Sequence, residues 1–123
     1  VCDGQTGFRL HKGVQRKTVL CPDVSFVAQK RVEAMTDRDK FFEGGPDLVV
    51  EVLSPGDSVQ KTAQKLRRFF QNGTRLGWIV DPVSRQVHVH RADGGVNTYD
   101  ITQTLDGGAC LPGFKLRVRR IFE

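Results

Sequence analysis

The run PDLVVEVLSP, residues 46–55, constrains the fold of this chain more than any other stretch. Its apolar residues fall on both faces of an extended strand: Leu48, Val49, Val50, Val52 and Leu53. A strand of this kind is typical of a sheet that is covered on both sides. Glu51 interrupts the run, and a carboxylate in apolar surroundings is costly unless another group pairs with it. We therefore predict a central strand at 47–53 and a site around Glu51.

Length and composition indicate an ordinary globular chain of 123 residues, with 38% hydrophobic and 27% charged residues. We expect residues 1–123 to form a single domain with a core of its own. The apolar run at Glu51 is too short to cross a membrane, so we expect no membrane partner. The three cysteines are far apart and form no CxxC pair, which disfavours a zinc knuckle or a disulfide framework and favours the cytoplasm. The net charge of +5 permits a polyanionic partner such as nucleic acid without requiring one.

Hydrophobic patterns predict several strands and one clear helix. The predicted strands are 7–12, 23–28, 47–53, 75–81, 85–91, 95–101 and 114–118. The helix is predicted over 59–71, with Asp57 or Ser58 as its N-cap and Asn72-Gly73 as its end. Residues 30–46 are charged and indicate a long surface connection that can contain one helical turn, and residues 119–123 indicate a terminal turn. Strands on either side of one helix predict an α/β or α+β fold, a mixed β-sheet packed on one main helix.

Glu51 needs a partner from another part of the chain. Asp47 lies on the same face of the strand, but four residues span about 13 Å, too far for both carboxylates to bind one small cation. Asp23 opens the strand at 23–28, and pairing of the two strands would bring it close to Glu51. Two adjacent carboxylates repel unless a cation or a proton lies between them. A divalent metal ion would satisfy both groups.

Lys65 is the basic residue of the predicted helix that is best placed to reach Glu51. It precedes Phe69 by one helical turn and therefore borders the apolar stripe, along which its stem can lie. Lys61 is predicted to point further toward solvent. The residues alone leave two interpretations open: Glu51 binds a metal ion, or it is a core carboxylate in a structural ion pair with Lys65.

Two further groups of polar residues have alternative interpretations as functional sites or as ordinary exposed surface. His88 and His90 share one face of a strand, but without a third ligand an exposed hairpin face is favoured over a metal site. In KLRVRR, residues 115–120, alternation places Lys115, Arg117 and Arg119 on one side. This segment either contacts a phosphate backbone or forms a charged edge strand that resists aggregation.

Five stretches of the chain, in the same order, carry a resemblance to a known family. They are TGFRL (6–10), CPDVSFV (21–27), PDLVVEVLSPGDS (46–58), KLRRFFQNGTRLGWIVDP (65–82) and LPGFKLRVRRIF (111–122). Together they cover nearly the whole sequence, which resembles the Uma-two family of restriction-endonuclease-like proteins. Asp23, Glu51 and Lys65 resemble a variant of the PD-(D/E)xK nuclease signature. Leu53 stands where that signature has its lysine, and the family takes its lysine from the following helix, at the place of Lys65.

The resemblance implies a restriction-endonuclease-like fold and a metal-dependent endonuclease that hydrolyses phosphodiester bonds in DNA. Asp23 and Glu51 would hold Mg²⁺ or Mn²⁺, with the backbone carbonyl of Val52 as a third ligand. Lys65 would steady the attacking hydroxide or the scissile phosphate.

The resemblance also implies an alternative. Members of the family carry an N-terminal segment that often brings another acidic residue to the site, and we expect the domain at 1–123 to lack it. The alternative function is therefore a catalytically inactive nuclease-fold module for binding or assembly. Strand edges left uncovered by such an absence would favour a homodimer.

Overall fold

A computed structural model describes residues 1–11, 18–34 and 42–123 of the chain. Its strands are β1 (Phe8–Leu10), β2 (Thr18–Leu20), β3 (Val24–Phe26), β4 (Phe42–Glu43), β5 (Leu48–Val52), β6 (Leu76–Asp81), β7 (Gln86–Arg91), β8 (Val96–Tyr99), β9 (Thr104–Gly107) and β10 (Leu111–Arg117). Its helices are α1 (Gln29–Glu33), α2 (Val59–Gln71) and α3 (Val118–Ile121). The fold is a mixed α+β arrangement, as the sequence predicts.

The main sheet has five strands in the order β3-β5-β6-β7-β8. Strands β5 and β6 are parallel and are joined through α2, whereas every other neighbouring pair in this sheet is antiparallel. A parallel pair needs a crossover of this kind, since a tight turn can join only antiparallel strands. Smaller sheets have the orders β2-β1-β4 and β10-β9.

Both faces of the main sheet are covered by apolar side chains. One cluster contains Leu48, Trp78, Val80, Val87, Leu105 and Val118, and the other contains Phe8, Leu10, Val49, Leu66, Phe69 and Ile79. Leu48 and Val49 are neighbours in β5 and contribute to opposite clusters, which confirms that this strand is buried on both sides. Because side chains alternate along a strand, Glu51 lies on the side of Val49, which is the side covered by α2.

Helix α2 has the bounds that the sequence predicts. Ser58 is its N-cap, and the Ser58 Oγ accepts a hydrogen bond from the amide of Lys61 at 3.3 Å. The helix ends at Gln71 with Asn72 as its C-cap, and Gly73 follows with a φ of +102°, a left-handed conformation that glycine adopts without strain. A Cβ at Gly77 in β6 would lie 3.1 Å from both methyl carbons of Leu66, so this glycine permits the close approach of α2 to the sheet.

Some predicted bounds were wrong, and some elements were not predicted. In the segment 30–46, α1 supplies the helical turn that the sequence allows, and β4 was not predicted. Residues 35–41 lie outside the described residues, as does Lys12. The short strands β2 and β9 were not predicted. Strand β10 begins earlier than expected and is followed by α3 in place of a simple turn, so the alternation of Lys115 and Arg117 does not extend to Arg119.

The first part of the charged segment 115–120 lies in β10, which has one neighbouring strand among the described residues. Strand β10 pairs with β9, and Lys115 lies opposite Asp106 in that register. This arrangement agrees with the edge-strand interpretation, and a phosphate contact by Lys115 and Arg117 stays a prediction. None of the helices in the described ranges is long and apolar enough to cross a membrane.

Candidate active site

Glu51 is a buried carboxylate near the end of β5. Only 6% of its surface is exposed, and its neighbour across the parallel ladder is the fully buried Ile79. The strand fixes the side chain on the α2 side of the sheet, where Val49 and Leu66 already exclude water. A carboxylate in such a place is stable only if nearby groups compensate for its lost hydration.

The Lys65 ammonium supplies part of that compensation from α2. Its Nζ lies 2.8 Å from Oε1 of Glu51, and it donates a hydrogen bond to the carbonyl oxygen of Cys21 at 3.1 Å. The Lys65 side chain is 30% exposed, which is the arrangement of a long stem along the core with its charge near the rim. Lys61, one turn earlier on the same helix, is exposed.

Asp23 approaches the same position from β3. The register that pairs Val24 with Val50, continued by one residue, places Asp23 opposite Glu51. The Oδ2 of Asp23 accepts a hydrogen bond of 2.8 Å from the amide of Val52, which holds the carboxylate at the end of the sheet. The structure therefore brings Asp23, Glu51 and Lys65 together, with the backbone of Val52 beside them.

The surroundings of Glu51 have opposing effects on its pKa. Burial raises the pKa of Glu51 above its ordinary value of 4.5; the ammonium of Lys65 opposes this shift, and the carboxylate of Asp23 reinforces it. The raised pKa means that one lysine does not fully offset burial and the adjacent carboxylate. A bound cation would lower the pKa of Glu51 by favouring its ionised form.

The oxygen atoms of this site can be compared with the ligands that a divalent metal ion requires. Oε1 of Glu51 is buried, and the ammonium of Lys65 lies 2.8 Å from it. In the same part of the chain, no group of three or more His, Cys, Asp or Glu residues is placed to hold a metal. Mg²⁺ commonly binds one or two carboxylates and keeps several waters, so Asp23 and Glu51 fit this ion. The roles of Asp23, Glu51, Lys65 and the carbonyl of Val52 stay predictions.

The other acidic and imidazole side chains considered from the sequence lie elsewhere. Asp47 accepts a hydrogen bond from the amide of Ala28 at 2.8 Å and lies within 3.6 Å of the guanidinium groups of Arg31 and Arg75. His88 and His90 do share a face of β7. The Nδ1 of His88 lies 2.9 Å from the hydroxyl of Thr98, and the pKa of His90 is lowered by burial and by His88.

Sequence reasoning missed two backbone groups of the site. The carbonyl of Cys21 orients Lys65, and the amide of Val52 orients Asp23. Backbone direction depends on strand pairing, and no residue type signals it, so the sequence offered no sign of either contact.

A protein of known structure is similar to this chain in fold. The protein is described as "Crystal structure of a putative nuclease belonging to DUF820 from Anabaena variabilis ATCC 29413 at 1.96 A resolution". The TM-score is 0.77 at 20% sequence identity, and the match covers 99% of this chain. This chain spans 66% of the length of that protein. No curated protein matches the chain.

The sequence profile of one protein family matches nearly the whole chain. Its description is "Uma2: Putative restriction endonuclease", and the match runs over residues 1–119. The matched region includes the three side chains that meet at the end of β5. The chain therefore belongs to the Uma2 family.

Proposed function

We propose that this chain is a nuclease domain that uses a divalent metal ion to hydrolyse phosphodiester bonds in DNA. The observation that carries the proposal is the meeting of Asp23, Glu51 and Lys65 at one end of the main sheet. The description of the Uma2 family and the name of the similar solved protein support the same class of activity.

Asp23 and Glu51 would hold Mg²⁺ or Mn²⁺, with the backbone carbonyl of Val52 as a further ligand. Such an ion, when bound, supplies a Lewis acid for the phosphate oxygens and lowers the pKa of a coordinated water. Glu51 is fixed by the strand, and Asp23 is fixed by the Val52 amide, so neither carboxylate has to reorganise. Asp23 is exposed, which gives substrate access to the pair.

Lys65 would bind the attacking hydroxide or a non-bridging oxygen of the scissile phosphate. A lysine ammonium has three donors. The Cys21 carbonyl takes one of them, and Glu51 lies beside a second. The third can reach an anionic group at the rim, where charge that develops on the phosphate is stabilised electrostatically.

The function is tested by incubating supercoiled plasmid with the protein and Mg²⁺ or Mn²⁺. We expect nicked and linear products with the wild-type protein and with Lys61→Ala. Glu51→Ala and Lys65→Ala, purified in the same way, should lose at least about 99% of the activity, as is usual when a group that stabilises the transition state is removed. Equal cleavage by wild type and Glu51→Ala would mean a contaminating nuclease and would contradict the proposal.

A second candidate is an inactive nuclease-fold module for binding or assembly. The observation that favours it is the lack of a cluster of three metal-binding side chains in the described parts of the chain. No cleavage in any metal, together with Mn²⁺ binding that does not depend on the carboxylates, would support this candidate. The homodimer and the cytoplasmic location stay predictions.

A further inference from the structure

A groove lies between α2 and the β7–β8 hairpin, on the same side of the main sheet as Glu51. Its volume is about 460 Å³, within the range of sites that hold small ligands. Residues from both elements line it, among them Ala63, Arg67, Phe70, His90, Arg91 and Val96. The groove exists because α2 packs over β5 and β6 and leaves β7 and β8 partly uncovered on this side.

The groove is separate from the candidate active site. Lys65 and Arg67 are two positions apart on α2, and two positions rotate a side chain by about 200° around a helix. Lys65 reaches toward β3 and β5, where it contacts Cys21 and Glu51. Arg67 lies on the other flank of α2 and lines the groove over β7 and β8.

The charge of the groove is positive. No Asp or Glu is among the described residues that line it, whereas Arg67 and Arg91 both do so. Arg67 is exposed and has no ion pair with any described residue. The Arg91 guanidinium donates a hydrogen bond to Oδ1 of Asn97, and its Nε lies 3.7 Å from Oδ1 of Asp93. The positive charge of Arg91 is therefore only partly offset. An anionic group is therefore the complementary occupant.

The rest of the lining is apolar or aromatic. Phe70, Ala63 and Val96 supply apolar surface, and the half-buried His90 adds an imidazole. Arginine beside aromatic and apolar side chains is the combination with which proteins bind single strands, since the cation contacts phosphate and the rings contact sugar or base. The bases of a duplex are stacked inside the helix and are not available to such a surface.

We infer that this groove binds one unpaired nucleotide of a DNA strand, with Arg67 as the principal phosphate contact. The choice of DNA rests on the proposed function. The structure thus gives α2 two roles: Lys65 acts at the candidate active site, and Arg67 positions the strand on the opposite flank.

The test measures binding without catalysis. A fluorescein-labelled single-stranded oligonucleotide and the duplex of the same sequence are titrated with protein in EDTA, with fluorescence anisotropy as the readout. We expect the single strand to bind more tightly. Arg67→Ala should weaken single-strand binding by about three- to tenfold, as expected for one exposed charge-assisted contact, and should lower the slope of log K against log salt by about 0.7.

Arg68→Ala is the matched control, because it removes the same charge from the next position of α2 and Arg68 does not line the groove. Arg67→Lys, which keeps the charge, should recover part of the affinity. Equal loss in Arg67→Ala and Arg68→Ala would overturn the inference, since it would indicate a general charge effect. Tighter binding of the duplex, with the same dependence on Arg67, would also overturn it.

The outcomes for the groove and for the nuclease proposal are distinguishable. If the groove does not bind the single strand, Arg67→Ala should bind it as tightly as wild type does, while plasmid cleavage still depends on Glu51. If the protein is not a nuclease, neither wild type nor any variant should cleave DNA, while binding of the single strand in EDTA still depends on Arg67.

Discussion

Lys65 Nζ lies 2.8 Å from Oε1 of Glu51, and this pair joins α2 to the central strand of the main sheet. The carboxylate is almost fully buried, whereas the ammonium stays partly exposed. Loss of the ammonium would leave a buried charge without its cation, which costs more than loss of an exposed ion pair.

Lys65→Ala should therefore destabilise the protein by about 2 kcal/mol, between the values for exposed and fully buried pairs. The pKa of Glu51 should rise further, because the group that lowers it is gone. Urea denaturation at neutral pH measures the first effect. Lys61→Ala is the control on the same helix and should change stability by less than about 0.5 kcal/mol. Equal effects of the two substitutions would show that the Glu51–Lys65 pair is not a stabilising contact.

Glu51→Gln should stabilise the metal-free protein at pH 7 by about 1 kcal/mol, since it replaces a costly buried charge with a neutral group of similar shape. The folded-state pKa of Glu51 is above 4.5, so in the window between 4.5 and that raised value the folded protein binds more protons than the unfolded chain. The contribution of Glu51 to stability therefore falls as pH rises through this window.

The difference in stability between Glu51→Gln and wild type should accordingly shrink as the pH is lowered from 7 toward 4.5. Thermal unfolding in EDTA at a series of pH values measures it. A gap that stays constant with pH, or a variant less stable than wild type at pH 7, would contradict a raised pKa at Glu51.

The fold was largely predictable wherever hydrophobic periodicity is strong. Helix α2 and strands β5, β6 and β7 follow from their apolar patterns, and Ser58 and Gly73 mark the two ends of the helix. Strands β2, β4 and β9 have at most four residues each, and such short segments carry no measurable period. Their existence depends on pairing with distant partners, which the sequence does not encode locally.

Asp23→Asn should remove most of the affinity for Mn²⁺ with little change in stability. The amide oxygen of asparagine can still accept the hydrogen bond from Val52, so the end of β3 should keep its position. The negative charge that attracts the cation is lost. Isothermal titration calorimetry with Mn²⁺ measures the affinity, and we expect a loss of at least about tenfold, comparable to that for other changes around a metal site.

An unchanged Mn²⁺ affinity in Asp23→Asn would mean that Asp23 is not a ligand. Thermal unfolding without metal serves as the control for folding, and the variant should differ from wild type there by less than about 1 kcal/mol.

Gly77→Ala should destabilise the protein by about 1–2 kcal/mol, because overpacking at a well-packed contact costs this much. The added Cβ would lie 3.1 Å from the methyl carbons of Leu66 and 3.3 Å from the ring of Phe70, so these side chains would have to shift by a few tenths of an ångström. Gly4→Ala is the control, because its Cβ would meet no atom closer than 3.4 Å. Wild-type stability in Gly77→Ala would show that α2 does not depend on this close approach.

The sequence indicated which side chains meet at the candidate site, but it did not indicate the backbone groups or the groove beside them. Glu51 is conspicuous because it interrupts an apolar run, and Asp23 and Lys65 follow from strand pairing and from the helical stripe. The contacts made by the Cys21 carbonyl and the Val52 amide depend on three-dimensional register. The groove beside Arg67 depends on which part of the sheet α2 leaves uncovered, and no sequence pattern reports that.

The most direct test of the metal site is a crystal soaked in Mn²⁺ and examined by anomalous diffraction at the manganese edge. We expect an anomalous peak at metal–ligand distance, about 2.1–2.3 Å, from oxygens of both Asp23 and Glu51, with the Lys65 ammonium beside it. An empty site at saturating Mn²⁺, or an ion held by other residues, would show that Asp23 and Glu51 do not form a metal site.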